Sequence, residues 1–483
     1  MTRVRTTLAV AWLLAAPPAL AQHLQTDFPA EEFKARWVKV FDKIGDGVAV
    51  VQGVSLTNGF QLPRQSNTFY YLCGVETPGA YLRLDGRAKK VTLYLPPRNE
   101  RLERAEGKVL SADDADLAKR ITGADEVAST DKMTMAWPLD GARASGLYVE
   151  FAPAEGYGQS RGELQQADAA IAADPWDGRL PRESRFRELL AARNPRAAIK
   201  DLTPILDELR AIKSPREIAM IRRASQIAGL GLMEAIRSTE AGVTEYQLDA
   251  AARYVFLAND ARLDAYRSIT ASGVENINNM HYFRNTKKLA DGDLVLMDYA
   301  PDYRYYVSDI GRMWPVNGTY APWQRELVQF VLDYRNAVLQ RVRPGVTPAA
   351  IQAEAKQAME AVFARTKFSK PGYQAAARRL VDQGGGVFSH NVGMAVHDVG
   401  SYRDGLRPGH VFSIDPQLRV PEENLYIRYE DTVVVTETGV ENFTAFLPSE
   451  LKDLELLARE KGIVQKLPAL GDEAFARLGA PRR

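Results

Sequence analysis

One short phrase is written twice in this chain. Gly292-Asp-Leu-Val-Leu-Met-Asp298 and Gly409-His-Val-Phe-Ser-Ile-Asp415 each run from a glycine through an apolar stretch to a closing acid, and each is followed by a second acid, Asp309 or Glu430. An acid at the end of an apolar strand is costly to bury unless it is paired or bound to a cation. Two such pairs therefore constrain the chain to a fold of two related halves that gather four carboxylates around a counter-charge.

The repeat extends outward from these strands. Gly242-Val-Thr244 recurs as Gly345-Val-Thr347, and both read as helix starts, with Gln247 completing a capping box in the first and Pro348 opening the helix in the second. Ser214-Pro215 with Glu217 is a further helix start of the same kind. His281 precedes Asp298 by seventeen residues, and His397 precedes Asp415 by eighteen. A glycine some residues before an acid is common by itself; helix, histidine and two acids recurring in one order are not.

Four converging acids repel one another, and a pair of divalent ions resolves this because carboxylates can bridge two cations while an imidazole supplies an end ligand. His390, in the polar turn Ser389-His390-Asn391, is the natural imidazole. The competing reading is that the acids cap turns or pair with Arg312 and Arg428, but two arginines cannot neutralise four acids. His410, directly after Pro408-Gly409, is expected to be a solvated turn residue, and His23 belongs to the start of the mature chain.

Composition limits the partners. The 483 residues carry 62 basic and 61 acidic side chains, a net charge of +1, so no global field exists to attract nucleic acid or an anionic membrane. With 46% hydrophobic residues the chain has room for two or three ordinary globular domains. Arg3 and Arg5, the apolar run that follows, and Ala19-Leu20-Ala21 read as a secretory signal cleaved before Gln22, too short to span a membrane. The expected address is the periplasm or outside of a bacterium, with no stable membrane insertion after cleavage. Cys73 is the only cysteine, so no internal disulfide is possible; it lies in an apolar run, 69–75, expected to be a strand.

Strand-like stretches near 48–52, 81–84, 91–95 and 147–151, separated by helical and Gly/Pro-marked segments, predict a mixed α/β first domain. A polar helical stretch after Ser160 and the turn Asp174-Pro-Trp-Asp-Gly178 suggest an arm leading to a boundary near residue 205. The expected division is a signal at 1–21, a first domain at 22–204, a second at 205–465 and a tail at 466–483.

The stretches Ile212-Lys-Ser-Pro-Arg-Glu217, Ser272-Gly273 to His281-Tyr282, Met297-Asp298 to Ser308-Asp309-Ile-Gly-Arg312, Ser389-His390-Asn-Val-Gly393 to His397-Asp398, and Ile427-Arg-Tyr-Glu-Asp431 resemble the pita-bread metallopeptidases, the group of aminopeptidase P, prolidase and methionine aminopeptidase. Arg64-Gln65, Phe69-Tyr-Tyr-Leu72, Gly74-Val75 and Pro78-Gly-Ala80 resemble the amino-terminal domain of aminopeptidase P and prolidase. The resemblance implies an α/β (α+β) fold: a pita-bread second domain with a pseudo-twofold repeat, preceded by a smaller mixed-sheet domain.

It also implies Asp298, Asp309, His390 and Glu430 as metal ligands. The family's remaining ligand, a Glu in Glu-Pro-Gly, is matched here by Asp415-Pro416-Gln417, whose carboxylate is shorter by one C–C bond, about 1.5 Å. A histidine that many relatives carry four residues before the imidazole ligand is Gly386 here. The implied activity is removal of an N-terminal residue that precedes proline, by a hydroxide bridging two divalent ions, manganese first and cobalt or zinc compatible. His281 would stabilise the oxyanion and His397 would orient the peptide or shuttle a proton. Asp415 or Glu430 would accept the water's proton, and Arg428 would orient the ligand carboxylates or meet a substrate carboxylate, with Asp398 and Asp431 as supports. The substrates implied are peptides with proline second, and the assembly a dimer or larger. Prolidase activity, restricted to dipeptides, is the near alternative. A metal-free creatinase-like hydrolase is disfavoured by the ligand set, and a non-catalytic binding protein is kept open by Asp415.

Overall fold

The computed structural model describes residues 24–55, 62, 64–134, 137–139, 146–471 and 475. The expected signal, Gln22, His23 and most of the tail lie outside the described residues. No helix among the described residues is long and apolar enough to cross a membrane.

The first domain is built on strands β1 (Val48–Gln52), β2 (Tyr81–Asp85), β3 (Lys90–Leu95), β4 (Glu126–Ser129), β5 (Leu147–Val149) and β6 (Ile199–Asp201), in the order β4-β3-β2-β1-β5-β6. β1, β2 and β3 pair antiparallel, and β4, β5 and β6 join parallel to their neighbours. Alternation along β1 explains its position: Val48 and Val50 pack with Trp137 and Leu190 on one face, Ala49 and Val51 with Phe33 and Trp37 on the other. Phe33 and Trp37 come from α1 (Ala30–Ile44), whose apolar side covers that second face. The polar stretch after Ser160 forms two mostly exposed helices, Arg161–Ala173 and Arg182–Arg193, after which the chain returns to the sheet as β6.

The run around Cys73 is a helix, Asn67–Cys73, and not a strand. Every residue in it is buried, so the sequence shows no alternation with which to tell the two apart. Gly74, at φ 65°, ends it. Burial pushes the Cys73 thiol up to about 12, in keeping with an inert side chain.

The second domain realises the repeat in its backbone. Helices α2 (Pro215–Arg237) and α3 (Glu245–Ala258) lead into strands β7 (Ile269–Ser272), β8 (Leu294–Asp298) and β9 (Gly311–Pro315), with β8 central. Helices α4 (Pro322–Leu339), α5 (Pro348–Arg365) and α6 (Pro371–Gln383) lead into β10 (Val387–Asn391), β11 (Val411–Ile414), β12 (Gln417–Val420), β13 (Leu425–Arg428), β14 (Asp431–Val435) and β15 (Val440–Asn442). The order β10-β11-β14-β15 makes the second sheet, and β12 and β13 form a hairpin beside it. Ser214 and Thr244 make the expected capping boxes, and Thr347 caps α5. The repeated glycines match in conformation: Gly242 and Gly345 have φ of 90° and 81°, Gly292 and Gly409 of 79° and 91°. All four sit in the left-handed region, which is why the doubled phrase begins on glycine both times.

A backbone bridge between Gly311 and Glu430 joins the halves, with N–H···O distances of 3.3 and 3.0 Å. Gly311 also pairs with Asp298 on its other side. One cross-strand row therefore carries Asp298, Gly311 and Glu430.

Candidate metal centre

Each half delivers its acids in the same way. Asp298 ends β8 and Asp309 stands two residues before β9; Asp415 follows β11 and Glu430 immediately precedes β14. All four are buried. Ligand atoms of Asp309, His390 and Glu430 lie within 4.8 Å of one another, a spacing that one cation can bridge. Gly311 keeps the floor of this space open: a Cβ there would stand 3.4 Å from Glu430 Cβ, 3.5 Å from Glu430 Oε2 and 3.7 Å from Asp298 Cβ.

The His390 tautomer follows from its contacts. Its Nδ1 is 3.1 Å from the Asn391 carbonyl oxygen, which can only accept, so Nδ1 carries the hydrogen. Nε2 then presents its lone pair 3.4 Å from Asp309 Oδ2. Burial, and then the neighbouring His397, pushes this imidazole down to about 4, so it is neutral and able to ligate at ordinary pH.

Asp298 and Asp415 join through other groups. Tyr266 donates its phenolic hydrogen between Asp298 Oδ1 at 2.6 Å and Asp309 Oδ1 at 2.9 Å. Arg428 spans three acids: Nη1 lies 2.8 Å from Asp298 Oδ2, Nη2 2.6 Å from Glu430 Oε2, and Nε and Nη2 each 3.0 Å from the two Asp415 oxygens. Gln417 also donates to Asp415 Oδ2. Asp415 is thus held by Arg428 and Gln417 beside the group formed by Asp309, His390 and Glu430.

Arg312, the other arginine considered for these acids, serves a different one. Side chains alternate along extended chain, so Arg428 and Glu430 share one face while Asp431 turns to the other. There Asp431 takes Arg312 Nη2 at 2.7 Å and also Arg335, which together hold its carboxyl down at about 2 against the cost of burial. Arg312 in turn donates to the carbonyls of Gly311 at 2.9 Å and Glu430, fixing the bridge between the halves.

One arginine against four buried acids leaves a deficit of positive charge. Burial, with Glu430 adding to it against the pull of Arg428, pushes Asp298 up to about 6 and Asp415 up to about 8, and burial with Glu430 and Asp298 pushes Asp309 upward as well. Only Glu430 moves down: burial opposes this, but Arg428, His390 and Ser413 outweigh it. Carboxyls that hold protons so tightly are asking for cations, and oxygen donors with one imidazole suit hard or borderline divalent ions. The residues present fit a metal.

His397 faces the same space, its ring centroid 4.3 Å from that of His390. Two first-domain groups hold it: its backbone N–H donates to Ser160 Oγ at 3.2 Å, and Nδ1 lies 2.6 Å from Glu163 Oε1. The carboxylate takes the Nδ1 hydrogen, which leaves Nε2 as the working atom. The next residue, Asp398, sits in a buried ionic chain with Lys213 and Arg210, which continues to Glu155 and Arg161. Asp398 thus anchors this loop to the first domain, while Asp431 supports the bridge. His281 is exposed, yet close enough to Arg428 and His397 that, after partial desolvation, their charges lower its pKa. His410 is the correction among the histidines: it is fully buried, accepting the Arg407 N–H at Nδ1, because Tyr402 and the strand pairing around Gly409 cover it.

Tyr266, Glu163, Ser160 and Gln417 were not among the residues picked out from the sequence. The first three lie outside the doubled phrase and carry no spacing signal. Gln417 was visible only as a departure from Glu-Pro-Gly.

Comparison with known proteins agrees with this geometry. Residues 219–437 match the model of metallopeptidase family M24, and residues 33–148 that of the aminopeptidase P N-terminal domain. The Xaa-Pro aminopeptidase of Haemophilus influenzae is 29% identical over 89% of this chain and 97% of its own. That of Escherichia coli K12 is 35% identical over 55% of this chain and 64% of its own. The structure of proline aminopeptidase P II from Yersinia pestis superposes with a TM-score of 0.71 at 28% identity, covering 89% of this chain and 99% of that one. Carboxylates and imidazole gathered between two half-domains, behind an aminopeptidase P first domain, place this chain in the aminopeptidase P group of metallopeptidase family M24, as a metallo-aminopeptidase.

Proposed function

We propose that this protein is an exported aminopeptidase that removes the N-terminal residue from peptides with proline in second position, using two divalent ions, manganese first, held by Asp298, Asp309, His390, Asp415 and Glu430. The observation that carries the reading is the approach of Asp309, His390 and Glu430 to within 4.8 Å over the open floor at Gly311. The names of the relatives, Xaa-Pro aminopeptidases in Haemophilus influenzae and Escherichia coli, support the substrate class. When bound, the ions held by these residues would supply Lewis-acid polarisation of the scissile carbonyl and acidify a water for attack.

The chain's own residues have separable tasks. Glu430, within the three-ligand group, and Asp415, beside it on Arg428, are the carboxylates placed to accept the water's proton. Arg428 is turned onto the oxygens of three carboxylates, so its task is to orient them. His397, with its Nδ1 hydrogen donated to Glu163, offers the Nε2 lone pair to accept a substrate N–H or to take up and pass on a proton. His281, on the accessible side, supplies a hydrogen bond to the developing oxyanion. The signal at 1–21 supports export to the periplasm or beyond, and a dimer is the assembly implied by the family resemblance.

Metal-free protein should be assayed on an Xaa-Pro dipeptide and a longer Xaa-Pro-Xaa peptide, before and after manganese, cobalt or zinc. Metal-dependent cleavage of the longer peptide is expected. Cleavage of the dipeptide alone would reassign the chain as a prolidase. No metal-dependent hydrolysis of either would refute the reading and favour a binding protein, the alternative that Asp415 keeps in view.

A further inference from the structure

Two departures from the family pattern, Asp415-Pro416-Gln417 and Gly386, meet at one point. Gln417 opens β12 directly opposite Arg428 in β13, so the two side chains share a face. Both turn onto Asp415: Arg428 reaches Oδ1 and Oδ2 at 3.0 Å each, and the Gln417 amide donates to Oδ2. Below lies Gly386, at φ 80°, where a Cβ would come within 2.8 and 2.9 Å of Gln417 Cγ and Cδ and 2.0 Å of the Asp415 carbonyl oxygen. No side chain fits at position 386, first because of the Asp415 carbonyl and then because of Gln417. The amide of Gln417 occupies the space that a side chain at 386 would need, and the backbone is tied there by Gln417 N–H to the Gly385 carbonyl at 3.0 Å.

The consequence concerns the short carboxylate. With Oδ2 taken by both Gln417 and Arg428, Oδ1 has a single donor and a free lone pair. We infer that Gln417 is a positioning residue for Asp415: seated over Gly386, it shares the carboxylate with Arg428 and fixes the orientation in which this shorter acid would serve as a metal ligand in place of a longer glutamate. This rests on the two-metal reading proposed above. A carboxylate held by outer hydrogen bonds loses less freedom on ligating, and removing such partners typically weakens metal affinity by about 10–100-fold.

The test is calorimetric titration of the metal-free full-length protein with manganese, alongside thermal melting of the metal-free form. Gln417→Leu keeps bulk over Gly386 and removes the donor, and Gln417→Gly removes both. Each should weaken manganese binding by about tenfold or more while the metal-free melting temperature stays near that of the parent. In an Asp415→Glu background, where the longer side chain reaches without help, Gln417→Gly should cost less than about threefold, giving a coupled pair. Unchanged or tighter manganese binding in both single variants would overturn the positioning role and leave the two-metal reading standing. The same loss from Gln417→Gly in both backgrounds would also overturn it. Failure of the parent protein to bind manganese, cobalt or zinc would remove both readings together.

Discussion

Replacing Tyr266 by phenylalanine isolates one hydrogen atom. The phenol packs against Asp298 and Asp309, and desolvation together with those two carboxylates raises its pKa well above the ordinary value, so it acts only as a donor. Its single hydrogen is shared between oxygens 2.6 and 2.9 Å away. It therefore sets the distance between two like-charged ligands that would otherwise separate. A hydrogen bond to a charged group is worth about 1.5–3 kcal/mol, so Tyr266→Phe should weaken metal binding by about 10–100-fold. The ring remains and no large cavity opens. In metal-free protein, protons on the raised carboxyls take over part of the bonding, so the melting temperature should fall by no more than about 3 °C. Calorimetric titration with manganese and peptide hydrolysis at saturating metal check this. Affinity and rate both within twofold of the parent would refute the assignment of Tyr266 as the tie between Asp298 and Asp309.

Glu163→Ala should lower kcat/KM on an Xaa-Pro-Xaa peptide with metal affinity unchanged, whereas Glu163→Gln, which keeps an acceptor, should cost less than about tenfold because the carboxylate is exposed and screened. Gly311→Ala should leave the fold intact, since the added Cβ meets no atom closer than 3.4 Å, but weaken metal uptake by filling space beside Glu430 Oε2; titration of folded variant checks it. For Asp431, the folded pKa of about 2 lies below its ordinary value of 3.8, so its ion pairs stabilise fully above about pH 4 and the contribution is lost as pH falls through about 2. That shift corresponds to about 2 kcal/mol, and Asp431→Asn should flatten the urea-stability profile across that window.

Much of the second domain was legible because the repeat is written in residue types that backbone geometry demands. Glycine at four left-handed positions and acids at matching strand ends left few alternatives. The division of labour between Arg312 and Arg428 follows from strand alternation, although counting arginines against acids did not reveal it. Other features depend on what packs from elsewhere. Nothing near His410 announces that Tyr402 will cover it, and a helix buried on every side, like that holding Cys73, looks like any apolar run. Glu163 and His397 are separated by 234 residues and come from different domains, so no local pattern connects them. Gln417 reads as a lost glycine until Gly386 is seen beneath it.

Ser160 and Glu163 belong to the first domain, yet they hold the backbone and ring of His397 in the second. Metal binding and peptide handling therefore draw on different parts of the chain. The second domain supplies its own acids and His390, but the orientation of His397 awaits a folded partner domain. A fragment lacking the first domain would be expected to take up metal and still turn over peptide poorly. Hydrolysis would then report that both domains have folded and docked, which metal content alone would not.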